Sequence, residues 1–211
     1  LPFVARSVII YTLGAEYLGL NGLFTSILQV LNLAELGIGY AIVYNMYKPI
    51  AEDDTDTICA LMNLYKKLYR VIGCIILFIG LLIMPFLEHF IQGTYPTNIN
   101  LQILYLIYLF NTVIGYFVFA YKGALLYAHQ KNALISNINT IICLVQNIVQ
   151  IIILLYFTDY YLYIVIMPIC TIMHNIGVAV VAKKKYPQYV SKGSLNKEII
   201  SDLSQRVKGL M

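Results

Sequence analysis

The stretch LQILYLIYLFNTVIGYFVFAY, residues 101–121, decides the fold: it carries no Asp, Glu, Lys or Arg. A helix rises about 1.5 Å per residue, so a run of this length covers the roughly 30 Å hydrocarbon core of a bilayer. A transmembrane β-strand would need only about ten residues, with polarity alternating along them. Here the apolar run is twice that length and does not alternate. Working outward, similar runs lie at 19–44, interrupted by the single charge of Glu35, and at 71–90, 132–157 and 160–182. Residues 1–13 are apolar but too short to span, and they read as the outer end of a truncated first helix. The expectation is an all-α fold: a polytopic membrane helix bundle over 1–182 with five full spans and a stub. A cytoplasmic segment, 183–211, follows it.

Composition supports lipid as the solvent. Of 211 residues, 60% are hydrophobic and 11% are charged, whereas soluble domains average about 25% charged. The net charge of +4 matters less than its placement. Every Lys and Arg except Arg6 falls in 48–70, in 122–131 or after residue 182. The loops 89–100 and 158–159 have none. Cytoplasmic loops carry the Lys/Arg excess, so the C-terminus is expected in the cytoplasm, with Asp159 and the Tyr95–Pro96 loop outside. The long basic loop has order of its own. Asp53, Asp54 and Asp56 can cap a helix N-terminus, and Leu61, Leu64, Tyr65 and Leu68 recur at helical spacing. The pattern predicts an amphipathic cytoplasmic helix running into the 71–90 span. Several of the 19 tyrosines, such as Tyr44, Tyr47, Tyr121, Tyr160, Tyr161 and Tyr186, fall at span ends. Amphipathic rings favour that depth. Tyr105, Tyr108 and Tyr116 fall deeper and could line a cavity.

The span 132–157 contains the clearest polar pattern. Asn139, Gln146 and Gln150 lie at i, i+7 and i+11 on one stripe, with Ser136, Thr140, Cys143 and Asn147 beside it. Ile141, Leu144, Ile148 and Ile152 occupy the opposite side. Such a helix should turn its polar half toward protein or a water-filled cavity. Interhelical hydrogen bonding, worth about 0.6–2 kcal/mol per amide, is an equally good reason for the stripe. Glu35 at membrane depth costs about 2.5–3.5 kcal/mol even on lenient scales. It suggests proton or cation coupling, or else a hydrated position near the cytoplasmic mouth. Arg6, about two turns from the outer end of its helix, could bind pyrophosphate bidentately or snorkel to the headgroups.

Catalytic readings find little. Cys59, Cys74, Cys143 and Cys170 form no CxxC, and no histidine pair has metal spacing. Neither a phosphate-binding glycine loop nor a nucleophile elbow is present. No metal or organic cofactor is expected, and no nucleic-acid partner.

Three blocks carry a family likeness: TLGAEYLGLNGLF at 12–24, ELGIGYAIVYNMYKPIAEDD at 35–54 followed by LYKKLYR at 64–70, and AKKKYP at 182–187. Together they resemble the polysaccharide biosynthesis flippases, the O-antigen and capsule repeat-unit transporters of the multidrug/oligosaccharidyl-lipid/polysaccharide exporter superfamily. The resemblance implies one lobe of a two-lobe exporter fold and no enzymatic activity. It implies transport of an undecaprenyl-pyrophosphate-linked oligosaccharide across the bacterial plasma membrane. The partners would be that lipid-linked sugar, membrane lipids and the second lobe of a longer chain. FVAR, residues 3–6, stands where related lipid II flippases carry a cavity arginine, which favours Arg6. Those relatives also place an acidic residue early in helix two. Here Asn21 occupies that place, and the role is unfilled or passes to Glu35. The candidate cavity residues are therefore Arg6, Asn21, Glu35, Asn139, Gln146 and Gln150. Two alternatives remain at this level. A cation-coupled multidrug extruder of the same fold would use Glu35. A membrane polysaccharide polymerase or glycosyltransferase would need larger, basic outer loops.

Overall fold

The computed structural model describes residues 2–32, 38–91, 95–96 and 98–195. Among the described residues the fold is all-helical, without strands. In chain order the helices are α1 (Pro2–Thr12), α2 (Ala15–Asn32), α3 (Ile38–Ala51), α4 (Thr55–Ile83), α5 (Leu87–Phe90), α6 (Leu101–Phe117), α7 (Tyr121–Ala128), α8 (Asn132–Phe157) and α9 (Tyr160–Lys185). Three continuous helical stretches are long and apolar enough to cross a membrane: Thr55–Phe90, Asn132–Phe157 and Tyr160–Lys185. The pair α6 and α7, bent by 53°, makes a fourth if counted as one span.

Local chemistry sets most of these boundaries. Of Asp53, Asp54 and Asp56, Asp54 is the cap of α4: its carboxylate accepts from the Thr57 amide at 3.0 Å. Those bonds hold its pKa below the ordinary value, the Thr57 side chain contributing most and the Thr57 amide next. Asn100 caps α6 through the amides of Gln102 and Ile103, both at 3.1 Å. Asp159 caps α9 through Tyr161 at 2.8 Å and Leu162 at 3.2 Å. Each satisfies donors that a helix start leaves orphaned. The amphipathic segment runs into the 71–90 span as one helix, α4, as far as Ile83, because nothing between Thr55 and Ile83 breaks it. Pro85 follows in a turn of 3₁₀ helix, Met84–Phe86.

Two expected spans differ in form. The stretch 101–121 is not one straight helix. Phe119 takes a positive φ of 52°, a conformation that ends a helix, and the chain turns there into α7. The stretch 19–44 contains α2 and the start of α3; residues 33–37, with Glu35, lie outside the described residues.

The helices share one core. Phe24 of α2 meets Tyr105 and Tyr108 of α6, each with ring centroids 5.6 Å apart. Tyr105 and Tyr108 therefore pack in the core rather than line a cavity, being 0% and 2% exposed. Burying a phenol requires a partner for its hydroxyl. Tyr105 donates to the Gly80 carbonyl at 3.1 Å, Tyr160 to the Tyr17 carbonyl at 2.9 Å, and Tyr116 to Asn32 Oδ1 at 3.0 Å. Helices α4 and α6 approach closely at Gly80, where an added Cβ would meet Leu109 Cδ2 at 3.0 Å and Cγ at 3.2 Å. Outside the core, Phe78, Leu82, Phe110, Ile141, Leu155 and Ile176 are exposed. So much outward apolar surface suits lipid and would be an aggregation hazard in water.

The segment after α9 folds back on α4. Asn63 donates to the Gly193 carbonyl at 2.8 Å, and the Val190 amide approaches Cys59 Sγ at 3.3 Å. His129 stacks on Tyr186, with centroids 4.0 Å apart, and lies beside Tyr189 at 5.8 Å.

Candidate functional site

The polar stripe of α8 organises the site. Gln150 is buried, and its Nε2 donates to the Tyr163 carbonyl of α9 at 3.0 Å. Asn147, also buried, donates to the Cys143 carbonyl of its own helix at 2.6 Å. Gln146 is half-buried, and Asn139 is exposed. The stripe therefore does two things along its length. Its upper part, near the α8–α9 turn, joins helices. Its lower part, with Ser136, Asn139, Thr140 and Cys143 exposed, leaves hydrogen-bonding groups open at membrane depth. Ile141, Leu144, Ile148 and Ile152 are exposed on the opposite face, which separates an apolar outer side from the polar one.

Arg6 is exposed, yet it is not remote from the stripe. Its guanidinium lies within electrostatic reach of Tyr163, the residue whose carbonyl receives Gln150. Tyr163 thus has its phenol in the field of Arg6 and its backbone carbonyl bonded to Gln150. Arg6 stands six residues, or about 9 Å, below the end of α1. That places it near the same end of the bundle as the α8–α9 turn.

Asn21 does not join this group. It is half-buried on α2, where its carbonyl accepts from Thr25 at 2.7 Å and its Oδ1 from the same hydroxyl at 3.3 Å. These are bonds within one helix and do not require a ligand. Glu35 lies outside the described residues.

Sequence reading missed Asn132. It stands 18 residues before Gln150, five full turns on a helix of 3.6 residues per turn, so it shares the stripe. The same periodicity that gave Asn139 and Gln146 could have found it. Asn132 borders a cavity of about 660 Å³ between α2, α3, α4, α7 and the start of α8. Tyr40, Tyr47, Tyr65, Tyr69 and Tyr127 contribute to its walls. Residue type alone cannot separate a tyrosine at headgroup level from one lining a hollow, and Tyr47, expected at a span end, lines this one. Nor did the sequence show that the α6–α7 bend would bring Tyr127 opposite α3. Among the described residues no cluster of His, Cys, Asp or Glu could hold a metal ion. The four cysteines are all free, Cys59 and Cys170 buried, Cys74 and Cys143 exposed.

No family model, curated protein or solved structure matches the chain.

Proposed function

We propose that this chain is one lobe of a membrane transporter that moves a lipid-linked oligosaccharide across the cytoplasmic membrane, with its C-terminus in the cytoplasm. The observation that carries the reading is the continuous polar stripe of α8. Its open part, from Asn132 to Gln146, covers 14 residues, about 21 Å, most of the roughly 30 Å thickness of the hydrocarbon core. A glycan crossing that distance exchanges hydrogen bonds to water for others, because an unsatisfied hydroxyl in an apolar medium costs several kcal/mol. Asn132, Ser136, Asn139 and Gln146 supply such partners in sequence. The apolar face with Ile141 and Ile148 leaves the polyprenyl tail in lipid.

At the outer end of the stripe stands Arg6. Guanidinium pairs bidentately with phosphate oxygens and stays charged throughout, which suits a pyrophosphate carrier at the exit side. A multidrug extruder for cations would instead concentrate carboxylates along the path, and the described part of the stripe has none. A second lobe of the same chain would close the cavity from the other side.

The test is in cells that depend on this protein for surface polysaccharide. Arg6→Ala should reduce export by at least about tenfold, the scale of one lost charge-assisted contact, at unchanged protein level. Arg6→Lys, which keeps the charge but not the fork, should fall between. Export unchanged by Arg6→Ala would overturn the phosphate role.

A further inference from the structure

Three features of the cavity beside Asn132 set it apart from the rest of the bundle. First, its walls are rich in aromatic groups: five tyrosines and two asparagines line it, and among the described residues no Asp, Glu, Lys, Arg or His does. Second, the aromatic side chains converge from different helices. Tyr40 and Tyr47, at i and i+7, present one face of α3, while Tyr127 comes from α7 and Tyr65 and Tyr69 from α4. A belt of interfacial tyrosines would radiate outward around a bundle; these enclose a hollow. Third, small residues stand among the rings, Gly123 and Ala124 of α7 with Gly39 of α3, and at Gly39 the missing side chain lets the Tyr65 hydroxyl approach the backbone.

The rings nearest the opening are available for contact. Tyr40 is 77% exposed, Tyr47 44% and Tyr127 46%. The back wall is held in place: Tyr65 and Tyr69 hydroxyls are 2.6 Å apart and their rings meet edge to face at 4.3 Å. Asn32 is fixed by the hydroxyl of Tyr116. At about 660 Å³ the cavity falls within the roughly 300–1,000 Å³ range of small-molecule sites.

The lining selects the ligand. The described lining holds no cation to pair with a pyrophosphate. Much of the wall is apolar, and its phenol and carboxamide groups add hydrogen-bonding positions that an acyl chain would leave unused. A neutral pyranose fits both halves of the surface: its flat C–H faces suit tyrosine rings, and its rim hydroxyls suit phenols and carboxamides. We propose that this cavity is a glycan subsite that takes a neutral sugar unit of the lipid-linked cargo at the cytoplasmic end of the α8 stripe. This rests on the transport reading above and deepens it. The sugar is received among Tyr40, Tyr47 and Tyr127, and Asn132 passes it to the stripe.

The experiment measures binding by the purified full chain in lipid nanodiscs to two probes: a polyprenyl pyrophosphate bearing a neutral disaccharide, and the same lipid without sugar. The unaltered chain should prefer the glycosylated probe. Tyr40→Ala with Tyr127→Ala should weaken binding of that probe by about tenfold and leave the bare lipid unchanged. Tyr127→Trp, which keeps a platform, should retain the preference. Both side chains are exposed, and equal helicity by circular dichroism confirms that the variants fold. Equal loss of both probes would make the cavity a lipid site and overturn the proposal, as would loss of neither or no binding by the unaltered chain. Arg6→Ala in the same assay separates the two readings, since it should weaken both probes through their common pyrophosphate. If it changes neither while the tyrosine variants lose only the sugar-bearing lipid, the role of Arg6 falls and the sugar subsite stands.

Discussion

Replacing Gln150 with Leu, and separately Asn139 with Leu, divides the α8 stripe into its structural and its open parts. Leu is close to Gln in size, so the packing around residue 150 is kept and the change removes mainly one hydrogen bond. That bond runs from Nε2 to the Tyr163 carbonyl at 3.0 Å, and the side chain is 3% exposed. Interhelical bonds of this kind contribute about 0.6 kcal/mol on average in membrane proteins and up to about 2 kcal/mol in model peptides. Gln150→Leu should therefore destabilise the α8–α9 pairing by about 1 kcal/mol, a roughly fivefold change in the unfolding equilibrium. Asn139 is exposed in the lobe and has no helix partner to lose, so Asn139→Leu should change stability by no more than about 0.5 kcal/mol. In transport the order should reverse, since Asn139 faces the proposed path. The assay is equilibrium unfolding in mixed detergent micelles, read by circular dichroism, alongside polysaccharide export in cells. A stable Gln150→Leu beside an Asn139→Leu weakened by more than about 1 kcal/mol would refute this division of the stripe.

Two further perturbations probe the scaffold. Gly80→Ala places a methyl group against Leu109, which is 1% exposed and has no room to swing away. Overpacking costs about 1–3 kcal/mol, offset by about 1 kcal/mol of helix propensity, so a net loss is expected in thermal unfolding. Gly22→Ala, whose Cβ meets nothing within 4 Å, should be neutral or stabilising. The second concerns pH. His129 has its pKa held below 6.5, chiefly by burial and then by Lys131, and its Nε2 is buried without a partner. The unfolded chain therefore binds the proton more readily, and stability rises with pH through this window. The contribution is fully present above 6.5 and is lost as pH falls through the depressed folded value. Proteolysis after residue 185 should accelerate below that pH in the unaltered chain, and His129→Phe should flatten the dependence. An unchanged slope in His129→Phe would remove His129 as its source.

Much of the architecture was readable because membranes impose few solutions. Long uncharged runs in a chain with 11% charged residues leave helices as the economical way to satisfy the backbone in lipid. The ends of α8 at 132 and 157 follow directly from such a run. The Asp54 cap was visible in the acidic cluster before α4. Less visible was the α6–α7 bend, because Phe119 at positive φ has no glycine or proline to announce it. The candidate site was half legible. Periodicity gave Asn139, Gln146 and Gln150, but not which of them would be buried.

What the amino-acid order determined by itself is the solvent, the helical period and the polar stripe of α8, for these depend only on residue type and spacing along one helix. Only the tertiary structure decided that Tyr105 and Tyr108 are core while Tyr40, Tyr47 and Tyr127 line a hollow, and that Gln150 joins α8 to α9 at the Tyr163 carbonyl. The physical reason is that tyrosine, with an apolar ring and a polar tip, is stable in either setting. Its surroundings are set by how neighbouring helices cross, and no single helix carries that information.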